Sequence, residues 1–264
     1  MLYERTLIQI RQRSYLDLLD LSLHVIRALP LRIGLTALAG IAPWAVLNGW
    51  LLAEGGLPKI GWIALLYMEV PWATAPLTIV LGDLMFRRPV RVRRIARTLL
   101  ASLPVMIVSQ VLLRGLLLVV VVVMPSRFPF LNEVILLEQE PVRSERKSIF
   151  QQIKRARSLT NGDEVDLFMR WLGQLFLGTT FALCVLMSVQ MLGSTLIGNE
   201  LTWYRPGMSD LDGVLFQAAV WVAIAFFGVY RFFAYVDRRI RLEGWDLGVQ
   251  MKAVERALEA RAGS

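Results

Sequence analysis

The chain has a single cysteine, Cys184, and a single histidine, His24. A lone cysteine closes no intrachain disulfide, and no CxxC or Cys/His cluster exists to hold zinc. One histidine leaves little for a Ser-His-Asp triad, and no GxSxG, HExxH, GxxxxGK(S/T) or GxGxxG motif is present. The expectation is a non-enzymatic protein with no catalytic, cofactor-binding or metal-ligating residues. Charge is scarce as well. Charged residues make up 19% of the chain, against about 25% in an average globular protein. There is no fixed-period repeat, low-complexity tract or Pro/Gly-rich linker.

What fills the chain instead is apolar. Of 264 residues, 56% are hydrophobic, and the mean hydropathy is +0.53. That excludes a disordered chain and points to a polytopic membrane protein. Residues 33–53 form the first apolar run, 21 residues without formal charge, containing Gly34, Gly40, Pro43, Asn48 and Gly49. It starts too late and runs too long for a cleavable signal, so it reads as an uncleaved anchor. Residues 60–82 form the second run, interrupted by Glu69, Pro71 and Pro76. Residues 99–138 make a third region of 40 residues; as one straight helix it would measure about 60 Å, twice the hydrocarbon thickness. It should therefore cross twice, or once with a re-entrant arm. It can turn at Ser109, Gln110, Arg114 and Gly115, or at Pro125, Ser126 and Arg127. Residues 167–191 and 213–236 complete the set.

The arginines orient this map. Residues 1–32, 86–98, 139–166 and 237–264 hold 23 of the 29 Lys and Arg. With an even number of passes through 99–138, all four segments share one side, and the positive-inside rule makes that side cytoplasmic. The fold class is thus all-α: one membrane domain over 1–264, a bundle of about six transmembrane helices with both termini cytoplasmic. Its parts are an amphipathic N-terminal helix in 1–32, four membrane segments in 33–138, a cytoplasmic amphipathic helix in 139–166, two membrane segments in 167–236 and a cytoplasmic C-terminal helix in 237–264. The outer loop 193–212 carries Glu200, Asp210 and Asp212 against Arg205, with Trp203 and Tyr204 suited to the interface.

The interfacial helices show apolar stripes beside basic faces. In 4–29, Asp17, Asp20, His24 and Arg27 share one wet stripe, where Asp20 and His24 also suit a pH-sensing pair. In 144–160 the apolar positions are Ile149, Phe150, Ile153, Ala156 and Leu159, and Asn161-Gly162 closes the helix. In 245–260 they are Leu247, Met251, Val254 and Leu258. The net charge of +8 implies anionic lipid at the cytoplasmic face, not nucleic acid, because the arginine run 87–97 lies between membrane segments as a lipid-contacting loop. A membrane protein partner is expected. Small-residue pairs such as Thr36/Gly40 and Ala45/Gly49 permit helix association without fixing an oligomeric state.

Four ionisable residues inside the apolar regions are the candidates for a polar site: Glu69, Arg114, Glu133 and Arg231. An acid beside proline-broken backbone is what ion-coupled transporters use, so Glu69 also supports a small transporter or channel. Its structural alternatives are a pair with Arg114 or Arg231, or a protonated carboxyl bonded to a neighbouring helix. Arg231 and Arg170 are placed to snorkel to the cytoplasmic end, and Glu133 and Arg127 to satisfy each other across Pro129. Asp83 and Asp237 should pair with nearby arginines, and Cys184 should pack among its apolar neighbours. A lipid enzyme would need Asp83, Glu138 and Asp237 to converge.

Two stretches carry a resemblance. Residues 132–138, Asn-Glu-Val-Ile-Leu-Leu-Glu, and 153–162, Ile-Lys-Arg-Ala-Arg-Ser-Leu-Thr-Asn-Gly, are similar to a pattern in which an apolar helix ends in glutamate and an amphipathic helix ends in Arg-Ser and glycine. Residues 235–246, Tyr-Val-Asp-Arg-Arg-Ile-Arg-Leu-Glu-Gly-Trp-Asp, are similar to the ending of the same group. The chain thereby resembles the bacterial six-helix integral membrane proteins that include those labelled glycerophosphoryl diester phosphodiesterase membrane domain. The resemblance implies a bacterial cytoplasmic membrane and structural roles for Glu138, Arg157, Ser158, Gly162, Tyr235, Asp237, Arg239, Arg241, Glu243, Gly244 and Asp246. It implies no diesterase activity, since that chemistry belongs to a separate soluble metal-dependent barrel that this chain lacks.

Overall fold

A computed structural model describes residues 14–53, 59–85, 89–109, 128–138, 149–196 and 214–243. Those residues form eight helices and no strand: α1 (Tyr15–Ala28), α2 (Pro30–Ala53), α3 (Lys59–Met85), α4 (Val92–Ile107), α5 (Leu131–Leu137), α6 (Ile149–Thr160), α7 (Glu164–Leu196) and α8 (Val214–Glu243). Four of them, α2, α3, α7 and α8, are long and apolar enough to cross a membrane. They cover the apolar runs 33–53, 60–82, 167–191 and 213–236 almost entirely, with helical backbone satisfying its own polar groups.

Two of the four are inner helices and two are outer. About half of α3 and of α8 is buried, whereas α2 and α7 are mostly exposed. Their outward faces carry Leu35, Leu38 and Val46 on α2, and Leu175, Phe176 and Met187 on α7. An apolar exterior of that extent is unfavourable in water and suits hydrocarbon. Cys184 lies on this outer surface, not in packing. The main core gathers along α8, where Tyr230, Phe232 and Tyr235 are fully buried against Leu77, Ile135 and Leu159. α8 packs on α1, α2, α3, α6 and α7.

Several local outcomes differ from the sequence reading. α3 runs unbroken through Pro71 and Pro76. A proline removes one intrahelical bond each, and neighbouring helices can hold such a segment in line. Asn132 on α5 does so at one point, donating through Nδ2 to the Pro71 carbonyl at 3.2 Å. The arginine run does not stay a loop. α4 opens at Val92, so Arg93, Arg94 and Arg97 lie in its first turns. The cause is a stripe at helical spacing, Ile95, Leu99, Ser102 and Met106, that turns inward while the arginines stay out. α5 is a seven-residue helix of about 10 Å, packed among α3, α4 and α6; its residues from Leu131 to Leu136 are all buried. Residues 110–127 lie outside the described residues, and with them both turning places proposed for the third apolar region.

The flanking helices follow local rules. Ser14 caps α1: its Oγ accepts from the Asp17 amide at 3.2 Å, and Asp17 Oδ2 accepts from the Ser14 amide at 3.1 Å. The described helix thus opens here, residues 4–13 of the expected helix lie outside the described residues, and Asp17, Asp20, His24 and Arg27 are all exposed. α6 ends at Thr160, and the turn that closes it holds Gly162, whose φ of 92° is left-handed and open to glycine. The inward face of α6 is Gln152, Ala156, Leu159 and Thr160, whereas Phe150 is 82% exposed. Phe150 therefore does not belong with the apolar stripe. The phase of α6 is set by its contacts with α5 and α8, which claim the 152–156–159 side. Of the outer loop expected over 193–212, residues 193–196 belong to α7, and the rest, with Trp203, Tyr204 and Arg205, lies outside the described residues, as does the C-terminal helix expected over 245–260.

Candidate functional site

Two layers of polar side chains cross the bundle at different depths. The deeper layer is built on α3, with partners from α2, α5 and α8. Glu133 of α5 is fully buried, and Arg231 Nε donates to its Oε1 at 2.6 Å. Arg231 Nη2 also donates to Thr74 Oγ1 on α3 at 2.9 Å. Arg231 lies 12 residues before the end of α8, about 18 Å along the helix. It does not snorkel; its charge is met inside the bundle. Glu133 accordingly pairs across 98 residues of sequence with Arg231; Arg127, the partner expected across Pro129, lies outside the described residues. Asn132 and Glu133 are adjacent, so one turn of α5 bonds both the Pro71 carbonyl of α3 and the Arg231 guanidinium.

Glu69 is 2% exposed and accepts from Asn48 Nδ2 of α2 at 2.7 Å. This is the bonded-to-a-neighbouring-helix arrangement; Arg231 is held elsewhere, and Arg114 lies outside the described residues. The pair joins two helices through one amide and one carboxyl. Gln at 69 can still accept that bond. Glu69→Gln is therefore expected to leave the apparent melting temperature in detergent within a degree or two. Glu69→Ala strands the Asn48 amide and should cost about 1–3 kcal/mol. Equal loss in both variants would show that the carboxylate charge, not the hydrogen bond, is what matters.

The second layer lies at the end where the arginines collect. Glu138, just past α5, is its hub. Arg155 Nε of α6 donates to both Glu138 oxygens at 3.2 and 3.3 Å, and Tyr235 Oη of α8 donates to Oε1 at 3.1 Å. The Arg239 guanidinium sits 5.8 Å from the Tyr235 ring and donates to its hydroxyl at 3.4 Å. Asp237 pairs with Arg241 at 2.8 Å, and Asp83 of α3 with Arg94 of α4 at 3.2 Å. Arg238 reaches the Leu159 carbonyl at 2.7 Å and forms an ion pair with Asp163. Glu138, the middle of α6 and its C-terminal end are thus fastened to α8.

Of the residues carried over from the resemblance, Glu138, Tyr235, Asp237, Arg239 and Arg241 lie in this layer, and Gly162 closes α6. Arg157 and Ser158 do not join it. Both are exposed, and Ser158 bonds only the Arg155 carbonyl among the described contacts. Glu243 is the final residue of α8, and Gly244 and Asp246 lie outside the described residues. Sequence reasoning passed over Asn48, Thr74, Asn132 and Arg155 as partners. Asn48 carried a usable signal, because it is the one amide in the run 33–53 and the next run carries the one acid. Arg155 flanks the buried Gln152–Ala156–Leu159 side, which helical phase alone distinguishes from Arg157.

Chemically, both layers pair their acids with cations or amides. Asp83, Glu138 and Asp237 each meet an arginine of their own. Among the described residues no group of three or more His, Cys, Asp or Glu is placed to hold a metal ion. Outside the membrane-spanning helices, burial raises the Tyr15 phenol above its ordinary value, and the nearby Arg170 guanidinium lowers it in part.

One cavity of about 530 Å³ lies beside the deeper layer, walled by α3 and α7, floored by α8 and closed at one place by Phe128, Pro129 and Phe130. Glu69 is not in its lining; Thr74, Arg170 and Arg231 are. Arg170 reaches one turn back along α7 to Asp166, at 2.8 Å. Comparison of the chain with protein-family models, curated proteins and solved structures finds no match.

Proposed function

We propose that this chain is a non-enzymatic integral protein of the bacterial cytoplasmic membrane that supports a partner protein or a membrane process from its basic end. Six crossings with both termini cytoplasmic, and kinship with the six-helix group it resembles, are part of the same proposal. The observation that carries it is the Glu138 hub. By fastening α6 to α8 it turns the basic end into a fixed platform, with Phe150, Lys154 and Arg157 on the outer face of α6 and Arg91, Arg93 and Arg97 at the start of α4. Each exposed Lys or Arg near an anionic leaflet is worth about 1 kcal/mol. An exposed aromatic between basic residues suits a headgroup region or a partner surface.

A transport reading centred on Glu69 is less well supported. The carboxylate turns to Asn48 and lies outside the cavity lining, so no described path leads to it.

The two readings separate by experiment. A photo-crosslinking amino acid at position 150 should give one discrete adduct in cells, lost in Lys154→Glu/Arg157→Glu with the melting temperature unchanged. Glu138→Ala should lose the adduct and also cost about 2 kcal/mol, since Arg155 and Tyr235 lose their acceptor. In a Cys184→Ser background, a cysteine at 150 should be labelled only from the cytoplasm. Labelling from outside overturns the orientation. Ion flux in proteoliposomes, abolished by Glu69→Gln in a protein that still folds, overturns the supporting role in favour of transport.

A further inference from the structure

We propose that the slot between α3 and α7 binds one single-chain amphiphile with an anionic head group, a carboxylate or a phosphate, with the head at Arg170. This goes beyond the platform reading and does not depend on it. Its volume of about 530 Å³ falls within the roughly 300–1,000 Å³ of sites that enclose small ligands. The slot is long as well. It runs from Trp62 to Thr74 on α3 and from Leu167 to Thr179 on α7, about 18 Å on each wall. One leaflet of hydrocarbon is about 15 Å deep, so the slot matches one acyl chain lying along the helices.

Polarity is graded along that length. Trp62, Ile63, Leu66, Phe216 and Val220 line the end away from the arginines. Arg170, Gln174 and Tyr230 line the end toward them. The Tyr230 ring is fully buried, and its hydroxyl lies beside the Arg170 guanidinium without reaching hydrogen-bond geometry. The walls meet chiefly through α8, on which both pack, so a chain can enter from the side. A lipid of the leaflet at the basic end already points its head toward Arg170 and its chain toward Trp62.

Arg170 suits the role better than Arg231. Arg231 is held by Glu133, which is fully buried, and by Thr74. Arg170 is held by Asp166, whose side chain is 56% exposed, and such a pair is weak because water and ions screen it. An anionic head can compete for that guanidinium and take a hydrogen bond from Gln174 or Tyr230 as well. The chain gains little by leaving lipid for an equally apolar slot. Selectivity must then come from the head.

The full chain, in bilayers of phosphatidylcholine, is tested with spin-labelled stearic acid and its methyl ester as probes, at a pH where the acid is ionised. Expected is a saturable, motionally restricted population that favours the acid over the ester about tenfold, as one charge-assisted contact gives. Unlabelled stearate or lysophosphatidylglycerol should displace it, and the better competitor identifies the head as carboxylate or phosphate. Arg170→Gln should abolish the preference, and Arg170→Lys should restore part of it. Thr179→Trp, which plugs the slot from an exposed position, should remove the restricted population; Leu66→Trp on the opposite wall serves if Thr179→Trp lowers stability. Equal restriction of acid and ester overturns the proposal. So does a saturable population that survives both tryptophans, or one displaced only by two-chain phosphatidylglycerol.

Discussion

Glu133→Leu is expected to cost about 3–5 kcal/mol and to lower the apparent melting temperature in detergent more than any other single side-chain truncation described here. The loss arises because breaking a buried ion pair from one side leaves the other charge without compensation. Arg231 is 18% exposed and would retain only Thr74 among its present partners. A second scale agrees in size: an arginine at the centre of a membrane helix costs about 2.5–3.5 kcal/mol on insertion. Arg231→Met should be milder, because the carboxyl left behind can take up a proton whereas a guanidinium cannot lose one. The double variant Glu133→Leu/Arg231→Met should recover most of the loss, as apolar replacements of buried pairs do. Melting curves of the three variants decide it. Strictly additive losses would show that the pair is not the unit of stability.

Gly40→Val is expected to separate α2 from α3 at a cost of about 3 kcal/mol, toward the upper end for overpacking. A β-carbon on Gly40 would overlap the Ala73 carbonyl oxygen, 3.2 Å from its carbon and 3.3 Å from the Pro76 ring. The obstacle is backbone on α3 and a proline ring, neither of which can swing aside. The same displacement should pull Asn48 from Glu69, so Gly40→Val and Glu69→Ala should be far less than additive. Gly34 and Gly49 on the same helix face open space. Alanine there should be neutral or stabilising by up to about 1 kcal/mol, from helix propensity alone. Equal damage from all three glycine substitutions would mean that α2 is sensitive along its length and not at this contact.

The long apolar helices were legible because a predominantly apolar run of about twenty residues has few other ways to satisfy its backbone in lipid. The C-terminal end of α6 and the pairing of Asp83 and Asp237 were legible because the cause lies within a few residues, as with Gly162, or in the next helix, as with Arg94. The deeper layer was not. Glu133 and Arg231 are far apart in sequence, and only the packing of α5 and α8 on α3 brings them into contact. Arginine has a long stem, so position along a helix alone left Arg231 free to point outward or inward. Phe150 misled for a related reason. Its hydrophobicity fitted a stripe, but the face of α6 that packs is chosen by α5 and α8, which take Gln152 and leave an aromatic outside.

α8 is made after every other described helix, and it is the one on which five of them rest. During synthesis the earlier segments must therefore wait in the bilayer without it. Glu133 has no Arg231 to meet until the ribosome has passed residue 231, and Glu138 has no Tyr235 until slightly later. A chain arrested upstream would present stranded acids to the insertion machinery and to membrane proteases. Assembly is in this sense gated by the last described helix to arrive, which acts as a checkpoint separating finished molecules from unfinished ones.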